Sequence, residues 1–336
     1  MDTEIIKQLA ILIIGFTLLV KGADLFVDGA SGIAKKFGIS ELIIGLTIVA
    51  MGTSAPEAAV SIAAAAKGSA GISIGNVIGS NIMNIFIILG IVASIVPLKI
   101  ERSTVRYEMP FTIIVTVLFV LMGRDGLITR LDGAILWAGL LLYIAYLLRQ
   151  AKQKPAETPA QAETEVQITD AAASSEESAE TAAAVPADSP SIWKLIAFTI
   201  VGLAVILVSS DYAVDAAVAL AKIFNISDRV IGLTIVALGT SLPELVTSVT
   251  AALRGNADLA VGNVVGSCIF NLLFVLGTSA LILPIPCAPN FLSDAYVAVG
   301  ATVLLLLFGF TQMKISRWEG VLLMACYVAY AYIALV

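Results

Sequence analysis

The sequence predicts an all-α polytopic membrane protein with ten transmembrane helices arranged as two inverted five-helix repeats. Three observations carry that expectation. The chain of 336 residues is 59% hydrophobic and only 13% charged, with a mean hydropathy of +0.99, where soluble domains carry about 25% charged residues. Apolar runs of roughly 20 residues recur along it, the length an α-helix needs to cross a bilayer. Finally, Gly45–Gly90, GLTIVAMGTSAPEAAVSIAAAAKGSAGISIGNVIGSNIMNIFIILG, returns as Gly232–Gly277, GLTIVALGTSLPELVTSVTAALRGNADLAVGNVVGSCIFNLLFVLG. The offset is a constant 187, and 25 of the 46 positions are identical. The ten-residue alternation of an outer-membrane barrel is absent.

The first half, residues 1–149, holds apolar runs near 4–31, 42–66, 70–97, 107–123 and 131–149. Its first run is too long for a signal-peptide core and lacks a basic amino-terminal flank, so it reads as a retained helix. Residues 150–190 carry eight acids, two lysines and almost no large apolar side chain. Such a segment cannot bury enough surface to fold, and reads as a disordered acidic linker. Without an EF-hand pattern, its acids read as solvation rather than as a calcium sensor. The second half, residues 191–336, holds runs near 192–220, 230–253, 259–284, 293–312 and 318–336.

Five helices per half is an odd number, which turns the second copy upside down relative to the first. With the amino terminus outside, one side of the membrane collects twelve Lys and Arg residues and the other six, leaving out Lys21 within the first helix. The positive-inside tendency therefore puts both termini outside and the linker in the cytoplasm of a multi-pass cell (inner) membrane protein. The net charge of -6 lies largely in the linker and implies no nucleic-acid partner. Cys268, Cys287 and Cys326 are odd in number and lie in or beside apolar runs, so neither a disulfide framework nor paired metal-ligand spacing is visible.

The duplicated segment concentrates polar chemistry at bilayer depth. Pro56 and Pro243 lack an N–H and clash with the preceding turn, so each second helix is kinked or unwound there. The Gly52 and Gly239 carbonyls lose their partners, and carbonyls around Thr53 and Thr240 are displaced with them. Freed oxygens survive at that depth only where protein or a polar cavity satisfies them. Thr53, Ser54, Thr240 and Ser241 add hydroxyls, and Glu57 and Glu244 add carboxylates one turn on. In the third helices, Ser80 and Asn84 share a face, as do Ser267 and Asn271. Gly75, Gly79, Gly262 and Gly266 read as small-residue faces for close helix packing.

Summed over both copies, this is an all-oxygen shell with two carboxylates. It suits a hard cation: Ca²⁺ takes about 6–8 oxygens, and Na⁺ is also oxygen-seeking. Soft metals favour imidazole or thiolate, and the chain has no histidine. A glutamate at a helix centre costs about 2.5–3.5 kcal/mol on insertion scales, and finding one at matching positions in both copies argues for function. Asp24 and Asp28 recur as Asp211 and Asp215 at the same offset; near the helix ends, they read as solvated or structurally paired groups rather than as part of the ion path.

At these residues the chain resembles the calcium/cation antiporter superfamily, in its prokaryotic sodium/calcium exchanger branch. GTSAPE with GNVIGSNIMN, and GTSLPE with GNVVGSCIFN, are its paired signatures, and the likeness spans everything but the linker. The resemblance implies four cation sites between the second and third helices of each half. It makes Glu57 and Glu244 bidentate calcium ligands, joined by the carbonyls of Thr53 and Thr240. It assigns the carbonyls of Ala50 and Ala237, with Ser54, Ser80, Ser241 and Ser267, to sodium sites, and lines the centre with Asn84 and Asn271. Some prokaryotic and potassium-dependent relatives have Asp where this chain has Asn271, so the resemblance implies no potassium co-transport.

The expected activity is therefore electrogenic Na⁺/Ca²⁺ antiport by alternating access, with no cofactor and no catalytic chemistry. The first and sixth helices slide across a rigid remainder. A proton-coupled Ca²⁺/cation exchanger on the same fold is the alternative, since a desolvated carboxylate can carry a proton. An intramembrane aspartyl protease is disfavoured because GADLFVDGA and SSDYAVDAA lack a Gly-Asp catalytic signature. A passive channel has no need of an inverted repeat with acids at its midpoint.

Overall fold

A computed structural model describes residues 2–153, 190–224 and 237–335. The first half comprises α1 (Asp2–Phe37), α2 (Glu41–Thr53), α3 (Ala55–Ala66), α4 (Gly71–Ile95), α5 (Thr104–Asp125) and α6 (Arg130–Gln153). The second comprises α7 (Ile192–Ile223), α8 (Ala237–Thr240), α9 (Leu242–Leu253), α10 (Ala257–Ile282), α11 (Pro289–Gln312) and α12 (Arg317–Leu335). Among the described residues, seven helices are long and apolar enough to cross a membrane, and α2 with α3, bent by 49°, makes an eighth. The chain is thus a multi-pass α-helical membrane protein. Residues 154–189, most of the expected linker, and 230–236, the start of an expected helix, lie outside the described residues.

Local chemistry sets the helix limits. α1 runs past its apolar stretch because Lys35 and Lys36 in its last turn complement the helix dipole. It ends at Gly38, whose φ of +63° closes the turn without a Cβ penalty. α4 and α10 form the centre: 72% and 94% of their apolar windows are buried, against 28–44% for α1, α5, α6, α7 and α11. Their small residues permit this. A Cβ on Gly262 would lie 2.8 Å from the Leu42 carbonyl oxygen and 3.2 Å from Cα of Gly45, so α2 and α10 meet backbone to backbone. Gly232, the copy of Gly45, lies outside the described residues.

The 187-residue offset extends well beyond the 46-residue repeat. β1 (Leu98–Lys99) pairs antiparallel with β4 (Lys314–Ile315), and β2 (Leu127–Ile128) with β3 (Ile285–Pro286). By offset, β3 is the copy of β1 and β4 the copy of β2, so each ribbon joins non-equivalent strands, and exchanging the halves turns one ribbon into the other. α1 and α7 obey the same exchange. A Cβ on Gly15 would meet Ala213 at 3.2 Å, and one on its copy Gly202 would meet the Phe26 nitrogen at 2.5 Å, Phe26 being the copy of Ala213. The N-terminal caps of α6 and α12 repeat too. Asp132 accepts from the Thr129 N–H at 2.8 Å, and Glu319 from the Ser316 N–H at 2.7 Å, each a side chain reaching back to the cap.

Candidate ion-binding site

The site is built where two helices break. α2 stops at Thr53, Ser54 leaves the helix (φ -81°, ψ 10°), and α3 restarts with Pro56 in its first turn. In the second half α8 stops at Thr240, Ser241 has φ -94° and ψ 7°, and α9 restarts with Pro243. Proline is tolerated there because a first-turn N–H has no intrahelical acceptor. Each restart places a glutamate, Glu57 or Glu244, in a first turn, where free N–H groups and the helix dipole favour a negative charge. The Gly239 carbonyl, four residues before Pro243, accepts the Ser210 hydroxyl of α7 at 3.2 Å. The copy of Ser210 in α1 is Ala23, which has no hydroxyl to give.

The two breaks face each other across the halves. Ser54 Oγ donates to Glu244 Oε1 at 2.8 Å, and Ser241 Oγ donates to Glu57 Oε1 at 3.3 Å. Glu57 is 1% exposed and Glu244 0%, and among the described residues no Lys or Arg pairs with either. Among the described residues, the second oxygens, Glu57 Oε2 and Glu244 Oε2, have no hydrogen-bond partner; nor do Ser267 Oγ, Asn271 Oδ1 or either amide atom of Asn84. An unsatisfied buried polar atom costs about 1–3 kcal/mol, and native proteins hold few of them. A concentration of them around two carboxylates marks a place for a ligand that oxygen can bind.

The central helices carry the other residues expected at the site. Asn84 and Asn271 each open a wider, π-helical turn, Asn84–Ile88 in α4 and Asn271–Leu276 in α10; such turns recur at functional sites. Ser80, Ser267, Asn84 and Asn271 are all buried. Thr53 shares its hydroxyl proton between the Val49 carbonyl at 3.1 Å and Asn263 Oδ1 at 3.0 Å. Ala50 is buried and its carbonyl accepts from Ser54 N at 3.0 Å. Thr240 ends α8 and Ala237 opens it. Among the described residues no three His, Cys, Asp or Glu side chains group together; two carboxylates with hydroxyl, amide and carbonyl oxygens are the chemistry available.

Two braces escaped the sequence reading. Asn76 Nδ2 donates to the Ser61 hydroxyl at 2.9 Å and the Glu57 carbonyl at 3.2 Å. Its copy Asn263 donates to the Ser248 hydroxyl at 2.9 Å and the Glu244 carbonyl at 3.4 Å. Both pairs are invariant between the repeats, a signal the sequence contained. Asn81 Nδ2 donates to the Cys268 carbonyl at 3.1 Å, and Asn271 Nδ2 donates to Asn81 Oδ1 at 3.2 Å. Asn81, whose copy is Cys268, thus orients the central Asn271. Asp24 and Asp28 lie away from this cluster, paired with Arg254, while Asp211 and Asp215 are exposed.

The family described as sodium/calcium exchanger protein matches residues 7–152 and 194–336. A protein named as an antiporter, CaxA of Alkalimonas amylolytica, is 39% identical over 96% of each chain. The sodium/calcium exchanger MaX1 of Methanosarcina acetivorans is 36% identical over 95% of this chain and 96% of its own. Among solved structures, the sodium-calcium exchanger NCX_Mj soaked with Na⁺ and Sr²⁺ is similar with a TM-score of 0.78 and 32% identity, covering 97% of both chains.

Proposed function

This chain belongs to the sodium/calcium exchanger protein family, whose members are secondary transporters and not enzymes, and on that premise we propose that it exchanges Na⁺ for Ca²⁺ by alternating access, with Ca²⁺ held between Glu57 and Glu244. The observation that carries this reading is the reciprocal pair of bonds from Ser54 to Glu244 and from Ser241 to Glu57. It makes one cage from two halves, with a carboxylate oxygen of each glutamate unpartnered. Two carboxylates match the charge of one Ca²⁺, and the surrounding hydroxyl and carbonyl oxygens suit Na⁺ in its place. The Thr53 and Thr240 carbonyls join the calcium shell. The Ala50 and Ala237 carbonyls, with Ser54, Ser80, Ser241 and Ser267, serve sodium, and Asn84 and Asn271 line the centre.

Ten transmembrane helices in two inverted halves are the architecture this mechanism needs, and the strand pairing supports them. Five spans separate β1 from its copy β3, which puts those two on opposite faces of the membrane. Six spans separate β1 from β4 and four separate β2 from β3, which puts each observed pair on one face. Both termini then lie outside the cell membrane and the segment between the halves in the cytoplasm.

The test is sodium-gradient-driven ⁴⁵Ca uptake into proteoliposomes. Glu57→Gln and Glu244→Gln each abolish it; uptake at the wild-type level in both would sink the assignment. Replacing the sodium gradient with a pH gradient decides against the proton-coupled alternative when no uptake follows.

A further inference from the structure

The charged residues outside the cage are arranged unequally. Arg254, in the turn between α9 and α10, bridges Asp24 of α1 at 2.8 Å and also pairs with Asp28. Beside it, Asn256 Nδ2 donates to the Ser31 hydroxyl of α1 at 2.9 Å. These bonds tie the first long helix of one half to a turn of the other. Subtracting or adding 187 gives the copy of this arrangement: Lys67, in the turn between α3 and α4, with Asp211 and Asp215 of α7. The charges are all present, yet among the described residues no ion pair joins Lys67 to either aspartate.

Packing is unequal in the same sense. α1 lies along α9, whereas its copy α7 makes no comparable contact with α3. The α3 flank is open as a result: Val60 is 44% exposed, while its copy Thr247 is 0% exposed. α1 thus covers the α9 flank, and α7 leaves the corresponding α3 flank uncovered.

We propose that Arg254 and Lys67 are alternating latches: Arg254 on Asp24 and Asp28 holds one face shut, and Lys67 on Asp211 and Asp215 holds the other face shut in the opposite state. The proposal rests on the alternating-access reading, because it gives the two states of that cycle their mutually exclusive ion pairs. All four aspartates are then positioning residues for the exchange, acting through helix position and not as ion ligands. The latches are of unequal strength. Arg254 is a planar fork that engages two carboxylates at once, which a lysine does less well. The copies of Asn256 and Ser31 are Ser69 and Val218, and a valine has no hydroxyl with which to repeat that bond. The Arg254-shut state is therefore the favoured one.

The experiment measures apparent calcium affinity at the Arg254 face in proteoliposomes of uniform orientation. Affinity at that face scales with the population open to it. A half-exposed ion pair shifts such a population by up to about five-fold. Arg254→Gln raises the affinity about five-fold, Arg254→Lys retains most of the wild-type value, and Lys67→Gln lowers it by a similar factor. Equal shifts in one direction for Arg254→Gln and Lys67→Gln, or no shift in either, overturn the latches. A second arm is independent of transport. In a chain with Cys268, Cys287 and Cys326 replaced, the pair Lys67→Cys with Asp215→Cys cross-links; if no ion condition yields that bond, the latches are overturned. A wild-type chain with no sodium-driven flux overturns the exchange reading, while the cross-link still decides the latches.

Discussion

Asn263 is the residue whose removal best tests how the cage is held. It is fully buried and has three bonds: Nδ2 to Ser248 Oγ at 2.9 Å, Nδ2 to the Glu244 carbonyl at 3.4 Å, and Oδ1 from Thr53 Oγ1 at 3.0 Å. Asn263→Ala removes all three unequally. Thr53 keeps the Val49 carbonyl at 3.1 Å, so it is not orphaned. The 3.4 Å bond is long and weak. Ser248 is 0% exposed and loses the amide it faces, which costs about 1–3 kcal/mol in a buried site. Side-chain bonds inside membranes average nearer 0.6 kcal/mol. Between those two figures the loss is about 1.5 kcal/mol, slightly more than ten-fold. The loss falls on calcium affinity, because binding must then order a Glu244 that the brace had ordered beforehand. Asn76 is only partly buried and donates two bonds, at 2.9 and 3.2 Å. Asn76→Ala should therefore cost about three-fold, water replacing part of what is lost. Calcium titration of purified protein by thermal shift at fixed sodium, run beside ⁴⁵Ca flux, measures both. A loss in Asn76→Ala equal to or larger than that in Asn263→Ala refutes the reasoning. So does an Asn263→Ala chain that melts earlier but binds calcium as before.

Ser54→Ala should weaken calcium binding about three-fold more than Ser241→Ala, since the bonds they lose measure 2.8 and 3.3 Å and shorter charge-assisted bonds are the stronger; the same titration compares them. Gly262→Ala drives a Cβ to 2.8 Å from the Leu42 carbonyl oxygen. Overpacking of this kind costs about 1–3 kcal/mol, so its melting temperature falls by several degrees. Gly71→Ala, where no described atom lies within 4 Å of the new Cβ, leaves the melting temperature unchanged in the same scan.

Much of the site was legible because the chain states it twice. Pro56 and Pro243 marked the breaks, and the structure turns each expected kink into a helix stop and restart at Ser54 or Ser241. Glu57 and Glu244 were marked by charge in an apolar run. Asn76 and Asn263 were identical in both copies but hidden among the glycines of GNVIGS and GNVVGS, where an amide reads as helix packing. Their role depends on Ser61 and Ser248, fifteen residues earlier on another helix, and no periodicity within one helix connects them. Arg254 reads in the sequence as a loop charge, since the pairing with Asp24 and Asp28 needs α1 to cross the carboxyl end of α9. The π-helical turns at Asn84 and Asn271 had no signature in the sequence at all.

The departures from the repeat fall in a pattern that bears on mechanism. Two identical inverted halves would make the two one-sided states equal in energy, because exchanging the halves would convert one into the other. The residues that hold the two glutamates keep that equality: Ser54 with Ser241 at the carboxylates, Asn76 with Asn263 at the main-chain carbonyls, and Ser61 with Ser248 behind the asparagines are unchanged between copies. Asn81 against Cys268, beside the central asparagines, departs from it, and three further differences lie outside the cage. Ser210 reaches the Gly239 carbonyl where its copy is Ala23, Arg254 stands where its copy is Lys67, and Asn256 meets Ser31 where the copies are Ser69 and Val218. Each adds a bond on one side only and leaves the oxygens proposed to meet the ion unchanged. A bias built this way changes which face is open at rest while leaving cation preference to the shared cage. Sidedness and selectivity can then vary by separate substitutions, and a variant that changes both at once must reach the carboxylates themselves.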